Sequence, residues 1–379
     1  MHPARRDAAW AACIGLVAAV VGMAYTANWE GRALFWQDML APAVLWACGA
    51  PPGNPDWYAN PELAAFLSLE QPRFDCATLD LTGMLPPGTG AEPGWDAKNA
   101  LHPNPHFPGW LQWQRFHGYL VGAVALCFAL FGVAWSALTP LYGLLYGASG
   151  AAVYGLMRGV AARPIALLFA ALYITSPLQL TYLPHLRDYS KAPFFLVALW
   201  LLAGLLHHAR PRRTQAVLAL GIGATLGAGV GWRQDVLLAV ALCALLAAIA
   251  LPGAWRLTWG RRILCPTLMV AAFFAVGAPI LAALGGASNT AHDTLIGLLD
   301  YTERRVGVDS PLYDHGDPFL DEYTRAVVAS HAACNRGTAP ALRHYSAAYD
   351  AAAGNYYYAL LTTLPADFVT RAWAAVLRL

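Results

Sequence analysis

The chain has 379 residues, of which 58% are hydrophobic and only 12% are charged, and its formal net charge is +2. A soluble globular domain has about 45–50% apolar and about 25% charged residues, so this composition excludes an ordinary soluble domain. It predicts an all-α protein that crosses a membrane several times. The basic residues lie in short loops, where they set membrane orientation, so no nucleic-acid partner is expected.

The first predicted span is the apolar run 8–27, which follows Arg5 and Arg6. It is long enough to cross a hydrocarbon core about 30 Å thick. A cleaved signal peptide has a similar pattern, but Ala24-Tyr25-Thr26-Ala27 is a poor cleavage site, which favours a signal anchor. The two arginines predict a cytoplasmic N-terminus.

Residues 28–116 are the first large loop, which the first span places on the exported face. Its apolar segment 34–46 contains Asp38 and Pro42 and is short for a span, so it predicts a helix lying in the membrane interface. Clusters of proline and glycine predict irregular chain in the middle of the loop. The loop closes on a predicted aromatic girdle at the membrane surface, formed by Trp110, Trp113, His117 and Tyr119.

Three of the seven cysteines lie in polar loops. Cys48 and Cys76 both fall in the first loop, where export would allow a disulfide between them. Cys334 is then either free or an alternative partner. Neither a C-x-x-C nor an H-E-x-x-H spacing occurs, so no metal site is predicted from a motif.

The remaining predicted spans lie between residues 119 and 284 and bring the total to about seven to eight. The apolar stretch 119–160, broken at Thr139-Pro140, has the length of two spans. Further apolar runs cover 165–180, 192–206, 216–230, 236–251 and 267–284. The run 216–230 is rich in glycine, which predicts close packing against a neighbouring helix.

Basic clusters at 207–213 and 256–262 belong in the cytoplasm by the positive-inside rule. This places residues 187–191, residues 233–235 and everything after residue 285 on the exported face. We therefore predict a transmembrane domain over 1–284 and a polar exported region over 285–379. Residues 372–379 read as the start of another apolar helix, so a truncated form of a longer protein is an expectation.

The number of predicted spans between the first loop and Arg187 disagrees with the predicted orientation. An exported first loop and an exported Arg187 require an even number of crossings, yet the apolar residues between 119 and 180 have the length of three. Either one of those segments is re-entrant or interfacial, or the first loop contains a crossing in 34–46. The first alternative is preferred.

Two short charged turns stand out at the ends of predicted spans, where charge is costly and commonly functional. Arg187, Asp188 and Lys191 form the first turn, and Arg233 and Asp235 form the second. The alternative to a functional role is structural: an ion cluster that caps two helices in the first turn, and an internal Arg–Asp pair in the second.

This layout resembles the GT-C superfamily of membrane glycosyltransferases, which includes the protein O-mannosyltransferases and the aminoarabinose transferase of lipid A. The shared features are a first span with a cytoplasmic N-terminus, a large exported loop with interfacial helices, and a polar exported C-terminal part. The resemblance implies transfer of a sugar from a polyprenyl-phosphate carrier on the exported face. The implied location is the bacterial inner membrane, with membrane lipids and a lipid-linked sugar donor as partners.

The resemblance also implies an acid after the first span that acts as base or metal ligand, and Glu30 and Asp38 are the acids there. Family members carry Asp-Glu or Asp-x-Asp at that place, whereas here each acid stands alone, so a divalent cation is an open alternative. Arg187, Lys191, Arg233 and Asp235 are expected to hold the carrier phosphate, the cations by direct bonds. Asp188 is expected to orient one of them or act on the sugar.

A transporter or flippase of a polar or lipid-linked substrate is the alternative function. Transporters commonly show internal repeats and charges near the middle of the membrane, whereas here the charges lie at the ends of the spans. A non-catalytic scaffold with exported binding loops is a third possibility, but it leaves the charged turns without a role.

Overall fold

The computed structural model describes residues 3–29, 37–51, 53, 60–81, 112–206, 211–250, 259–283, 290–298, 321–336, 342 and 347–377. Their regular structure is helical, which confirms the predicted all-α class, and the described part of the chain contains no β-strand. Three helical segments there are long and apolar enough to cross a membrane: Arg6–Ala27, Leu186–Leu206 and Ile263–Ala283. These segments indicate a membrane protein.

The helices fall into two compact units, and the described residues up to Ala283 form the first. This unit begins with α1, Pro3–Ala27, and continues through short helices of the first loop: α2, Ala41–Ala47; α3, Pro61–Leu67; and α4, Gln112–Phe116. Helix α5, Gly118–Phe131, follows the loop. The helices that follow are α6, Thr139–Val160; α7, Arg163–Ile174; α8, Pro177–Tyr182; α9, Leu186–Tyr189; α10, Lys191–Leu206; α11, Arg212–Val230; α12, Val236–Ala250; and α13, Trp259–Ala283.

Small residues allow the long helices of the first unit to pack backbone to backbone. A Cβ atom added at Gly147 of α6 would lie 2.7 Å from the carbonyl oxygen of Gly15 in α1. In α11, a Cβ atom added at Gly227 would lie 2.6 Å from the carbonyl oxygen of Phe273 in α13. The glycine-rich run 216–230 therefore packs as its sequence predicts, because lipid-exposed helices associate through close contact of small residues.

The first unit has two ends, each marked by charged residues. At one end, Asp7 of α1 pairs with Arg163 at the start of α7. At the other end, Asp188 of α9 pairs with Arg233 after α11. We call these the Asp7 end and the Arg233 end.

Helix α5 begins at the Arg233 end, because the backbone amides of Tyr119 and Leu120 donate to the carbonyl oxygen of Gly231. Helix α6 begins at the same end, where the Tyr142 hydroxyl lies 3.5 Å from the carbonyl oxygen of Pro184. With 14 residues, α5 is about 21 Å long. The stretch 119–160 therefore contains one long helix and one short helix, whereas its length predicted two spans.

The apolar segment of the first loop is packed into protein. Its described part forms a 3-10 turn, Gln37–Leu40, that leads into α2. Residues from Met39 to Leu45 whose side chains are described are fully buried, and Trp46 is exposed. This differs from the prediction of an interfacial helix, which would bury one side only. The apolar composition of the segment allowed either arrangement.

The first loop packs against the residues around α5 and shares their hydrophobic core. The rings of Phe66 and Trp135 stack with centroids 4.8 Å apart, and the Trp135 indole donates to the carbonyl oxygen of Phe66 at 3.0 Å. A disulfide joins Cys48 to Cys76, as the sequence allowed. Such a bond closes a loop in the unfolded chain and so favours the folded loop.

The second unit comprises the described residues from Thr290 onward. Its helices are α14, Thr290–Gly297; α15, Asp321–Arg336; α16, Ala347–Thr363; and α17, Pro365–Leu377. Its core includes Leu295, Val328, Tyr349 and Leu360. The predicted polar region therefore has a hydrophobic core, which includes a buried hydrogen bond of 2.6 Å between His292 Nδ1 and the Tyr349 hydroxyl.

Candidate functional site

The first charged turn is helix α9 together with the start of α10. Leu186 and Tyr189 are buried, and the Tyr189 hydroxyl lies 3.0 Å from the hydroxyl of Tyr173. These contacts anchor one side of α9 in the core. Arg187 and Asp188, on the same helical turn, are only partly buried.

The second charged turn, residues 231–235, joins α11 to α12 and is held by neighbouring helices. A Cβ atom added at Gly231 would overlap the Tyr119 ring of α5 and lie 2.9 Å from Ile280 of α13. The Trp232 ring lies 5.4 Å from the ring of Phe194 in α10. Backbone and aromatic contacts thus hold the turn in place independently of the bonds that its charged side chains make.

The two turns meet through a chain of ion pairs in the order Asp188, Arg233, Asp235, Lys191, which we call the Arg233 cluster. Arg233 Nη1 donates to Asp188 Oδ1. Arg233 Nε lies 3.3 Å and Lys191 Nζ lies 2.6 Å from the same oxygen, Asp235 Oδ2. Four of the predicted site residues therefore converge, and the pairing runs mainly between the turns.

Electrostatics favour the ionised cluster at neutral pH. Burial by itself would raise the pKa of the Asp235 carboxyl, but the hydrogen bond from Lys191 and the positive charges of Arg233 and Lys191 outweigh it. The pKa of Asp235 therefore lies below its usual value. Asp235 also immediately precedes the N-terminus of α12, where the helix dipole favours negative charge.

The cluster retains hydrogen-bonding capacity. Arg233 carries five N–H donors and Lys191 carries three, and the ion pairs engage Nε and one Nη1 hydrogen of Arg233 and one hydrogen of Lys191. Arg233 is 19% exposed and Asp235 is 40% exposed, so solvent reaches the cluster. Its remaining donors could bind an anionic oxygen while the ion pairs persist.

The structure does not place the remaining predicted site residues, Arg187, Asp38 and Glu30, in the Arg233 cluster. Arg187 is half-buried on α9 beside Asp188. Asp38 belongs to the 3-10 turn Gln37–Leu40, but its side chain lies outside the described residues. Glu30 lies wholly outside them. Their catalytic roles stay predictions.

Sequence reasoning missed the contribution of Tyr119 and the burial of His117. The Tyr119 hydroxyl donates to the carbonyl oxygen of Val276 at 2.5 Å, so it links α5 to α13 beside the second turn. His117 is buried and is therefore not part of an aromatic girdle at a surface. The sequence did contain one signal for this packing, because His117 and Tyr119 both lie where an apolar helix begins.

A second ionic cluster, also missed, lies at the Asp7 end. Asp7 accepts from Arg163 Nη2 at 2.8 Å and lies 3.2 Å from Arg158 Nε. The Tyr154 hydroxyl lies 3.4 Å from the same carboxylate. The signal was a single acid in an otherwise basic N-terminal segment.

Within the described ranges, no three side chains of His, Cys, Asp or Glu lie close enough together to hold a metal ion. Comparison with models of known protein families, with curated proteins and with solved structures found no match.

Proposed function

We propose that this protein is a membrane glycosyltransferase that takes a sugar from a polyprenyl-phosphate carrier on the exported face of a bacterial inner membrane. The observation that carries the proposal is the meeting of the two charged turns in the Arg233 cluster. The cluster contains two cations with remaining donors, next to apolar helices that would contact a lipid tail.

The proposal includes seven crossings, made by α1, α6, α7 with α8, α10, α11, α12 and α13. Contacts between the helices support this order. Gly150 of α6 faces Ala18 of α1, and Gly221 of α11 faces Leu201 of α10. Helix α5 then stays at the Arg233 end without crossing, so the number of crossings between the first loop and Arg187 is even.

The sides of the membrane follow from charge and from the disulfide. The basic residues Arg6, Arg158 and Arg163 lie at the Asp7 end, which favours the cytoplasm for that end. The disulfide between Cys48 and Cys76 favours an oxidising compartment for the first loop. Both arguments support export of the Arg233 end.

In the proposed reaction, Arg233 and Lys191 bind the carrier phosphate through their remaining donors, while Asp188 and Asp235 hold the two cations in place. Such charge-assisted hydrogen bonds stabilise the phosphate most as negative charge develops on it. Arg187, on the same helical turn as Asp188, adds positive charge to this end.

The bond changes are those of a simple displacement. The acceptor hydroxyl oxygen bonds to the anomeric carbon, the bond from that carbon to the phosphate oxygen breaks, and polyprenyl phosphate leaves. A carboxylate takes the hydroxyl proton, and Glu30 and Asp38 are the proposed bases. No step requires a divalent cation, although one could assist at those acids.

The test uses the purified full chain in vesicles with radiolabelled polyprenyl-phosphate sugars. We expect Glu30→Gln to abolish release of polyprenyl phosphate, and Lys191→Met to lower kcat/KM by about 10- to 100-fold, the loss of one hydrogen bond to a charged group. Arg213→Gln, an exposed residue at the start of α11, is the control and should leave turnover unchanged.

One result would reject the assigned residues, and another would reject the transferase. Full turnover in both Glu30→Gln and Lys191→Met would show that neither residue has its assigned role. Movement of the lipid-linked sugar between leaflets, without transfer to any acceptor and with the same dependence on Lys191, would identify a flippase.

A further inference from the structure

Helix α17, Pro365–Leu377, has an inverted distribution of polarity. Arg371 is only 3% exposed, whereas Val369 is 70% and Trp373 is 63% exposed. Ala366, one turn before Val369, is also exposed. The exposed Thr370 donates its hydroxyl to the carbonyl oxygen of Ala366 at 2.9 Å. The helix therefore points mainly apolar side chains outward and a charged side chain inward.

The inward face of α17 contains an ion pair within the helix and an aromatic contact with α16. Arg371 Nε donates to Asp367 Oδ2 at 2.8 Å, and these two residues are the charged residues of the helix. The Phe368 ring packs against the Tyr357 ring of α16 with centroids 5.4 Å apart. The inward face thus joins the core of the second unit, and the outward face is the surface that the helix offers.

This arrangement fits an apolar medium better than water. A helix at an aqueous surface places its charges outward and its large apolar residues inward. At a membrane surface the preference reverses for the face that touches lipid, and tryptophan is enriched in the interfacial layer.

We propose that the outward face of α17, formed by Ala366, Val369 and Trp373, lies on the lipid bilayer. The same chain contains helices of membrane-crossing length whose exposed side chains include Leu16, Leu199 and Phe274, so lipid is the medium its other apolar surfaces meet. The charged residues Asp367 and Arg371 pair with each other on the inward face, so only the outward side of α17 meets lipid.

The experiment measures collision of a nitroxide label with oxygen, which concentrates in lipid, and with a water-soluble nickel chelate. The full chain is reconstituted in phosphatidylcholine–phosphatidylglycerol vesicles with the Cys48–Cys76 disulfide intact. Ala366→Cys and Val369→Cys are labelled one at a time, with the free cysteines replaced by serine. Both variants keep Trp373, and Ala366→Cys is a small change at an exposed position.

The chain supplies two native references, Cys13 on α1 and Cys334 on α15, which are both exposed. Cys13 lies within a candidate span and reports lipid, while Cys334 reports the surface of the second unit. We expect the oxygen-to-nickel ratio at residues 366 and 369 to be several-fold above that at Cys334 and to approach that at Cys13. A ratio equal to that at Cys334 would overturn the proposal in favour of water. Protection from both reagents would overturn it in favour of a second copy or a protein partner.

Discussion

The two ionic clusters of the first unit both pair aspartate with basic side chains but differ in connectivity. At the Asp7 end, one carboxylate receives both Arg158 and Arg163. At the Arg233 end, acids and bases alternate along a chain, with Arg233 between Asp188 and Asp235. Among the described residues, loss of Asp7 therefore removes both ion pairs of its cluster, whereas loss of Lys191 leaves two pairs of the Arg233 cluster intact.

The difference in connectivity predicts a structural role for the Asp7 end and a ligand-binding role for the Arg233 cluster. Asp7 joins the starts of α1 and α7 and the end of α6, and Arg158 uses a second donor, Nη1, on the carbonyl oxygen of Ala161. The Arg233 cluster instead contains two cations, Arg233 and Lys191, which retain N–H donors that the ion pairs do not use. The contrast predicts that changes at the Asp7 end alter stability, and that changes at the Arg233 end alter ligand binding as well.

The largest expected effect follows from removing the central cation. Arg233→Gln should lower sugar transfer by about 10- to 100-fold, because one charged hydrogen-bonding group is lost. Asp7→Asn should lower the melting temperature by a few degrees but leave transfer per folded molecule unchanged. Initial rates, normalised to monodisperse protein, measure both variants. An equal loss of transfer in the two variants would mean that the clusters do not differ in role.

A matched pair of glycine substitutions compares the packing at the two ends. Gly231→Ala should destabilise the protein by about 1–3 kcal/mol, since the new Cβ meets the Tyr119 ring and Ile280. Gly159→Ala, near the end of α6, meets nothing within 4 Å and should leave the free energy of unfolding unchanged or raise it by up to about 1 kcal/mol. Denaturant unfolding in detergent measures both, and equal effects would contradict the close packing of the second turn.

A smaller effect is expected for the outermost ion pair of the Arg233 cluster. Lys191 is 35% and Asp235 is 40% exposed, so solvent screens their attraction. The coupling free energy from a double-mutant cycle of Lys191→Met and Asp235→Asn should be at most about 1 kcal/mol. It should decrease as salt is added. A coupling that is larger and independent of salt would indicate a pair shielded from water.

The smallest effect is the pH dependence of the same pair. Because the pKa of Asp235 is lowered in the folded protein, its ionised form stabilises the fold at pH values above the unfolded pKa of about 3.9. This contribution is lost as the pH falls through the folded pKa. The melting temperatures of the protein and of Asp235→Asn should therefore differ by a constant amount from pH 7 to about pH 5 and converge below about pH 4. A difference that grows on acidification would reverse the sign of the pKa shift.

The sequence predicted the location of the charged turns better than their bonds. Charges at the ends of apolar runs are conspicuous, so Asp188 and Arg233 could be singled out from composition alone. Their partners depend on how α9 and α12 are rotated, and rotation is set by Tyr189 packing in the core and by Gly231 packing on Tyr119. Those contacts join residues far apart in the chain, so no local pattern contains them.

The helices around α5 show a second limit. The apolar residues of α5 and of 34–46 have the composition of spans or interfacial helices, yet α2 is buried and α5 starts where α6 starts. The run 165–180 also looked continuous, but it breaks where Ser176 caps α8 and Pro177 begins it. Hydropathy identifies apolar residues, but it does not distinguish contact with lipid from contact with protein.

The hydrogen bond from Tyr119 to Val276 joins residues 157 positions apart, and this separation bears on the order in which the chain assembles during synthesis. When α5 leaves the ribosome, neither Gly231 nor Val276 has been made. The apolar side of α5 can pack against α2 and Phe66 as soon as it is made, but the contacts at its start must wait until α11 and α13 have been inserted. The last step in forming the Arg233 end is thus the docking of an early segment onto late ones, and mutations in α13 should slow the maturation of the first loop.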